Sequence, residues 1–369
     1  MFIKHRKQNM RNIIKIIYIL VLMVAVSACT TKGKKTEALT VLRVGSRTVT
    51  NPQVIQIRAA NLFKENGLNA KVEYVVGANG PALMESFLAG QIDVAVFGDQ
   101  PAVMGWLRGV DVKAVANFPS SPRSTYIMVA DSEKIKTMHD LKGKKIAVQI
   151  GTVSQHWLFL TLQQAGMKAS DVKMLNVPGG DASVALMTHE IDAAVLSEPT
   201  ISLLEERKIA AKLKESRCAK TYSEVLLVSG DLYRNHPEVI KTIISTYQEA
   251  NAWIIDNPDK VVKAIGSRIT YKALPKNVLR RQYGRNLSQV KYVGITDSAK
   301  LSFKQIVGFL KDLKVVPKHG TLADSTQKFY DSRFVDEYYK DKAKRNKTTL
   351  AEIIKRESSV KIRSGNNKN

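Results

Sequence analysis

From about residue 39 onward, short apolar runs rich in β-branched residues alternate with longer segments whose apolar positions have helical spacing. This alternation predicts parallel or mixed sheets covered by helices, an α/β fold. Strands are predicted at 39–45, 70–76, 92–97, 111–117, 126–130, 145–150, 173–177, 191–196 and 225–228. Helices are predicted at 52–65, 81–90, 153–165, 237–257, 258–265, 277–283 and 297–313.

An internal similarity indicates two lobes of like construction. In residues 83–99 and again in 182–198, a helix leads into an Ile-Asp strand that ends in an acid, and Pro101 or Pro199 opens the next helix. Because the unit occurs once in each half, we assign lobe 1 to 39–125 and 228–320, and lobe 2 to 126–227. Hinges are expected near 125–127 and 224–226. Residues 340–369 are basic and polar, so we predict a flexible tail or a lone helix there.

The N-terminus has the features of an export signal. A basic stretch ending at Lys15 precedes an apolar run at 16–25, which is short for a membrane span. The run ends in Val26-Ser27-Ala28-Cys29, which resembles the bacterial lipobox. We therefore expect residues 1–28 to be a removed signal peptide, Cys29 to be lipidated, and 29–38 to be a tether. The alternative is an ordinary signal peptide with an unmodified cysteine.

The net charge of +24 raises the question of nucleic-acid binding. Five of these charges lie in residues 1–28, and the segment from Lys340 onward holds a further +7. What remains is spread thinly, without basic and stacking aromatic residues concentrated on one element, so no nucleic-acid partner is expected. With Cys29 lipidated, Cys218 has no disulfide partner, and no metal site or cofactor is predicted.

In open α/β sheets, ligands bind beyond the carboxyl ends of the strands, where loops lead into helix N-termini. The strongest such junction is the segment 151–157, which follows a predicted strand. Gly151 permits close backbone approach, and the first N–H groups of the following helix can meet an anion. The candidate ligand-binding residues here are Gly151, Thr152, Ser154, Gln155 and His156. The alternative is that Thr152 or Ser154 merely caps the helix.

Three further junctions meet the same predicted crevice. One contributes Gly98, Asp99 and Gln100, and another contributes Glu198, so that either acid can accept a hydrogen bond from an amine or simply favour a helix dipole. The junction after the first strand contributes Arg47 and Thr48, where the guanidinium can pair with an oxyanion or remain solvated.

Certain segments occur in a recognisable order over residues 40 to 315. They are Leu42-Arg43-Val44-Gly45, 88–95, 98–102, 140–148, 151–154, Gly180-Asp181-Ala182 and Ile191-Asp192-Ala193. In these the sequence resembles the sulfonate, nitrate and taurine branch of ABC-importer solute-binding proteins. The resemblance implies a two-lobe type II periplasmic-binding-protein fold, and adds Asp181 to the candidate ligand-binding residues.

The resemblance implies an exported protein that captures a small anionic or zwitterionic solute and delivers it to an ABC permease and its ATPase subunit. We expect a monomer, anchored to the bacterial membrane and facing the periplasm or extracellular space. The alternative is a protein that binds a pyrimidine precursor of thiamine, or an enzyme acting on one with the same fold. No metalloprotease, serine-hydrolase or P-loop motif supports an enzyme.

Overall fold

The structure is a computed structural model that describes residues 38–46, 52–119, 125–216, 223–266, 274–286, 292–315 and 325–358. Residues from Leu39 onward belong to one compact unit. The predictions for Cys29, Arg47, Thr48 and Cys218 fall outside the described residues.

The first sheet has five strands in the order β2-β1-β3-β10-β4. Strand β1 runs parallel to both β2 and β3, whereas β10 runs antiparallel to its neighbours β3 and β4. Its strands are β1 (Val41–Ser46), β2 (Lys71–Val76), β3 (Val94–Gly98), β4 (Val112–Pro119) and β10 (Ser223–Ser229). Strands β3 and β10 are buried almost throughout, as expected for the interior of a sheet covered on both faces.

The second sheet also has five strands, in the order β7-β6-β8-β5-β9. Strand β6 is parallel to β7 and β8, and β5 is antiparallel to β8 and β9. Its strands are β5 (Thr125–Val129), β6 (Lys145–Ala147), β7 (Lys173–Leu175), β8 (Ala193–Ser197) and β9 (Ala211–Lys212). The two sheets therefore share one arrangement, and the predicted two-lobe fold is confirmed.

The repeated Ile-Asp motif has the same structural role in each lobe. The Asp93 carboxylate accepts the backbone N–H of Arg43 at 2.7 Å, and the Asp192 carboxylate accepts that of Lys145 at 2.8 Å. The backbone of each aspartate also bonds back to the same neighbour. In lobe 1 the Arg43 guanidinium pairs with Asp93 as well, at 2.7 Å. Each aspartate thus fixes the register between two parallel strands, which explains the motif without a ligand.

Helices cover both faces of each sheet. In lobe 1 they are α1 (Pro52–Ala59), α2 (Leu62–Glu65), α3 (Gly80–Leu88), α4 (Asp99–Leu107), α8 (Gly230–Asn235), α9 (Pro237–Asp256), α10 (Pro258–Gly266), α11 (Lys276–Asn286), α12 (Asp297–Asp312), α13 (Ser325–Phe329), α14 (Arg333–Arg345) and α15 (Leu350–Ser358). In lobe 2 they are α5 (Val153–Gln164), α6 (Gly179–Met187) and α7 (Thr200–Glu206), with short 3₁₀ turns at His139–Leu141 and Ala169–Asp171. Within the described residues, none of the helices combines the length and apolar character needed to cross a bilayer.

The boundary of lobe 2 differs from the predicted one. The predicted boundary between residues 227 and 228 falls inside β10, which pairs as a whole with β3 and β4 of the first sheet. Lobe 2 is therefore built from residues between Thr125 and Ser216. The predicted hinge residues 125–127 and 224–226 lie at the beginnings of β5 and β10, inside the sheets. Residues 120–124 and 217–222, which precede β5 and β10 in the chain, are outside the described residues.

The C-terminal segment is folded as far as Ser358 as helices packed on lobe 1, rather than as the predicted flexible tail or lone helix. Helices α14 and α15 bury Tyr339, Ala343 and Ile353 in the core on one face of the first sheet. Buried Glu357 accepts hydrogen bonds from Gln248 of α9 at 3.0 Å and from Lys342 at 2.6 Å. Composition hid these helices because their few apolar residues are surrounded by lysine and arginine on the exposed side.

We predict that Ile353→Ala destabilises the protein by about 2–4 kcal/mol, because Ile353 is fully buried and the change leaves a cavity. Urea denaturation measures the free energy of unfolding. The control is Lys355→Ala, at an exposed position of the same helix, which should change it by less than about 0.5 kcal/mol. Equal stability of the two variants would show that α15 is not part of the core.

Candidate functional site

The two lobes meet where the start of α4 faces the start of α5. Gly98 ends β3, and a Cβ atom at this position would collide with the side chain of Val153. Gly151 has a positive φ of 78°, and a Cβ atom there would lie 3.3 Å from the terminal methyl of Met104. Two of the predicted glycines therefore allow the lobes to approach closely at the carboxyl ends of β3 and β6.

The N-terminus of α5 is not capped by a side chain. The hydroxyl of Thr152, the N-cap residue, donates to the carbonyl of Gln149 at 2.7 Å and makes no cap hydrogen bond. The Gly151 N–H is donated to the Gln155 side-chain oxygen at 2.9 Å. No side-chain acceptor therefore caps the N–H groups of Val153 and Ser154 among the described residues. A helix start of this kind carries partial positive charge and suits an anion.

Gln100 is a polar residue of α4, the helix whose start faces the start of α5. It is on the first turn of α4 and has no exposed surface, and neither its amide nitrogen nor its amide oxygen has a hydrogen-bond partner among the described residues. It precedes Met104 by four residues, so the two share a face of α4. Because Met104 approaches Gly151 of the other lobe, this face of α4 is directed toward lobe 2. A buried amide without partners costs about 1–3 kcal/mol, which a bound solute could recover.

Asp99 is placed differently from the prediction. Rather than standing at the mouth of the crevice, its carboxylate is completely buried, and Oδ2 accepts hydrogen bonds from Ser302 at 2.7 Å and from the Ser223 hydroxyl at 3.0 Å. Burial raises the pKa of Asp99, against the lowering effect of these hydrogen bonds. The group joins α4 to α12 and to the start of β10. Nothing in the sequence around Ser223 or Ser302 indicated this contact, since both residues are distant in the chain.

The other two predicted acids occupy different surroundings. Glu198 is buried, and its carboxylate accepts the Ser202 N–H of α7 at 3.2 Å. Nearby, the hydroxyls of Thr125 and Ser197 lie 3.2 Å apart at the ends of β5 and β8. Asp181 is exposed in the first turn of α6. The preceding residue, Gly180, lies in open space, since a Cβ atom there would meet nothing within 4 Å. The structure thus brings Gly98, Gln100 and the 151–154 segment together, but not Asp181.

His156 contributes to the contact between the lobes rather than to an open pocket. Its ring is buried on α5 and lies 5.2 Å from the Phe309 ring of α12. The ring of Phe159, one turn later on α5, lies 4.7 Å from the Phe309 ring. The described residues contain no cluster of three His, Cys, Asp or Glu side chains suited to a metal ion.

Known proteins share both this architecture and parts of the sequence. A putative aliphatic sulfonates-binding protein of Escherichia coli K12 is 28% identical over 243 residues, 66% of this chain and 75% of the relative. The taurine-binding periplasmic protein of the same organism is 24% identical over 209 residues, 56% of this chain and 64% of its own length. The alkanesulfonate-binding protein SsuA from Xanthomonas axonopodis pv. citri, solved bound to MOPS, superposes with a TM-score of 0.68 at 20% identity, over 76% of this chain and 96% of that one.

The structural match shows the fold, and the match to a family model shows the family. That model, described as NMT1/THI5 like, covers residues 51–261, which is more than half of the chain. This protein belongs to the NMT1/THI5-like family.

Proposed function

We propose that this protein is the extracytoplasmic solute-binding component of an ABC importer, and that it captures a small anionic or zwitterionic solute between its lobes. Sulfonates, taurine and nitrate are the candidate solutes. The relatives named for sulfonate and taurine binding support the class. The observation that carries the proposal is the uncapped N-terminus of α5 at the contact between the lobes, facing the helix α4 whose buried Gln100 amide has no hydrogen-bond partner among the described residues.

This arrangement can hold an anion without a cationic side chain. The N–H groups of Val153 and Ser154 supply two donors at the positive end of the α5 dipole, and the Gln100 amide supplies a donor and an acceptor. Arg47 and Thr48 remain proposed ligand-binding residues, and Glu198 remains proposed to meet the amine of a zwitterion. A zwitterion such as taurine would then place its sulfonate at the start of α5 and its amine near Glu198.

We also propose that the protein binds without turnover and delivers its solute, as a monomer, to a permease with an ATPase subunit. The amide side chains of Gln100 on α4 and Gln155 on α5 support this, since amides are neither nucleophiles nor general bases. The alternative remains a thiamine-precursor binding protein, or an enzyme acting on such a compound.

A thermal-shift screen tests the function. Taurine, other alkanesulfonates, MOPS, nitrate, sulfate esters and thiamine pyrimidine precursors are each added to the purified protein. We expect a sulfonate, taurine or nitrate to raise the unfolding temperature in a concentration-dependent way, because a solute that binds only the folded state stabilises it by mass action. Chromatography of the mixture should recover the solute unchanged. A shift with the pyrimidine precursors alone, or consumption of the solute, would support the alternative.

Substitution of Ser154 by proline tests the helix start. Proline at the second position of a helix removes an N–H group without breaking the helix, so Ser154→Pro should weaken binding of the selected solute about tenfold or more by calorimetry. The matched control is Ser298→Pro, at the second position of α12 and exposed, which should keep the affinity of the parent. If Ser154→Pro also kept that affinity, the α5 N-terminus would not hold the anion.

A second variant separates binding from folding. Gln100→Met replaces the unpartnered amide with an apolar side chain of similar size, so it should weaken binding while leaving the ligand-free protein at least as stable as the parent. Loss of stability together with unchanged affinity would show that Gln100 serves the fold and not the solute.

We further propose that the protein is held on the membrane through acylated Cys29. The Val26-Ser27-Ala28-Cys29 sequence after an apolar run supports this. Two or three acyl chains suffice for durable anchoring. When the gene is expressed in bacteria with labelled palmitate, the parent should incorporate label and sediment with membranes. Cys29→Ala should do neither, and label in that variant would contradict the assignment.

A further inference from the structure

The lobes make a second contact on the opposite side of the crevice from the Phe309 ring. Helix α5 covers one face of the second sheet through Trp157 and Leu158, whereas α7 covers the other face through Ile201 and Leu204. The contact of α5 with α12 therefore lies on one side of the molecule. On the other side, α7 meets α11, which belongs to lobe 1.

Helix α11 is fixed to lobe 1 by apolar packing. Its Leu279 is buried in a cluster with Ile55 of α1, Ile254 of α9 and Val261 of α10. The neighbouring Val278 is fully buried as well. The polar side chains of α11 that face α7 are thus held on a rigid part of lobe 1.

Three polar side chains form this second contact, which we call the Glu206 bridge. Asn277 Nδ2 of α11 donates to Glu206 Oε1 of α7 at 2.9 Å, and the Arg281 guanidinium of α11 donates to Glu206 Oε2. The hydrogen bond from Asn277 and that from Arg281 lower the pKa of Glu206, so the carboxylate is ionised at neutral pH. The Glu206 and Arg281 side chains are 40% and 35% exposed, so water can replace these contacts when the lobes separate.

We propose that the Glu206 bridge stabilises the closed arrangement of the lobes, so that Glu206, Asn277 and Arg281 are positioning residues for solute capture although they do not line the crevice. A contact formed only when the lobes are closed shifts the open–closed equilibrium by its own free energy. Solute affinity rises with the closed fraction. The bridge is polar and partly solvated, so its effect is modest and readily reversed. By contrast, the Phe309 contact with His156 and Phe159 is apolar.

The distance between the lobes tests this without any solute. Cys29 and Cys218 are changed to Ser, and spin labels are attached at Val184→Cys of α6 and Lys263→Cys of α10, which are exposed and lie in opposite lobes. Pulsed electron paramagnetic resonance then gives the distribution of label distances. We expect Glu206→Gln to lower the ratio of the short-distance to the long-distance population about two- to fivefold relative to the parent, as fits an exposed ion pair. Arg281→Gln removes the partner of Glu206 on lobe 1 and should lower the ratio in the same way.

The matched control is Glu205→Gln. Glu205 is the adjacent residue of α7, and its carboxylate pairs with Lys212 of its own lobe at 2.6 Å. This variant should keep the parent's distances. The charge exchange Glu206→Arg with Arg281→Glu should restore part of the short-distance population. Identical distributions in the parent, Glu206→Gln and Arg281→Gln would overturn the proposal. Because no solute is used, a failure of the solute screen and a failure of this test are separate results.

Discussion

The close approach of Gly98 to Val153 is the constraint on which the rest of the site depends. A side chain at residue 98 would collide with Val153 and force the start of α4 away from the start of α5. Gly151 allows the same close approach from lobe 2, since a Cβ atom there would lie 3.3 Å from the terminal methyl of Met104. Its positive φ is also one that L side chains rarely adopt. The polar groups of the crevice are therefore arranged by two residues that have no side chains.

In the proposed binding mode, groups of the protein that lack partners supply part of the binding energy. The Gln100 amide is buried with no partner among the described residues, and α5 begins without a side-chain cap, so both features disfavour the protein in isolation. Proteins tolerate such groups where a ligand completes them. In that binding mode, lobe 2 would supply backbone N–H groups and lobe 1 the amide, and a solute that touches both would favour closure.

Local patterns in the sequence predicted most elements, because strand and helix periodicities are set by neighbouring residues. The Ile-Asp repeat also indicated two similar lobes, and the structure explains it through Asp93 and Asp192. Partners far apart in the chain were not predictable in this way. The pattern predicted the strand that becomes β10 but could not show that its neighbours are β3 and β4. Nor did it show that Ser223 and Ser302 hold the Asp99 carboxylate away from the crevice. The basic composition of residues 340–369 predicted a flexible tail or a lone helix, whereas α14 and α15 are packed on lobe 1. Glu357 can be buried there because Lys342 and Gln248 donate hydrogen bonds to its carboxylate.

The burial of α15 in the first lobe has a consequence for the order of folding. The strands of lobe 2 come from one continuous stretch between Thr125 and Lys212, so this lobe can form as soon as that stretch is available. Lobe 1 combines β1, near residue 41, with a helix ending at Ser358, and its core is complete only when almost the whole chain is present. Contacts so distant in sequence form slowly because a long loop must close first. When the chain folds from its N-terminus, lobe 2 can therefore be complete while lobe 1 still exposes the apolar faces that α15 later covers.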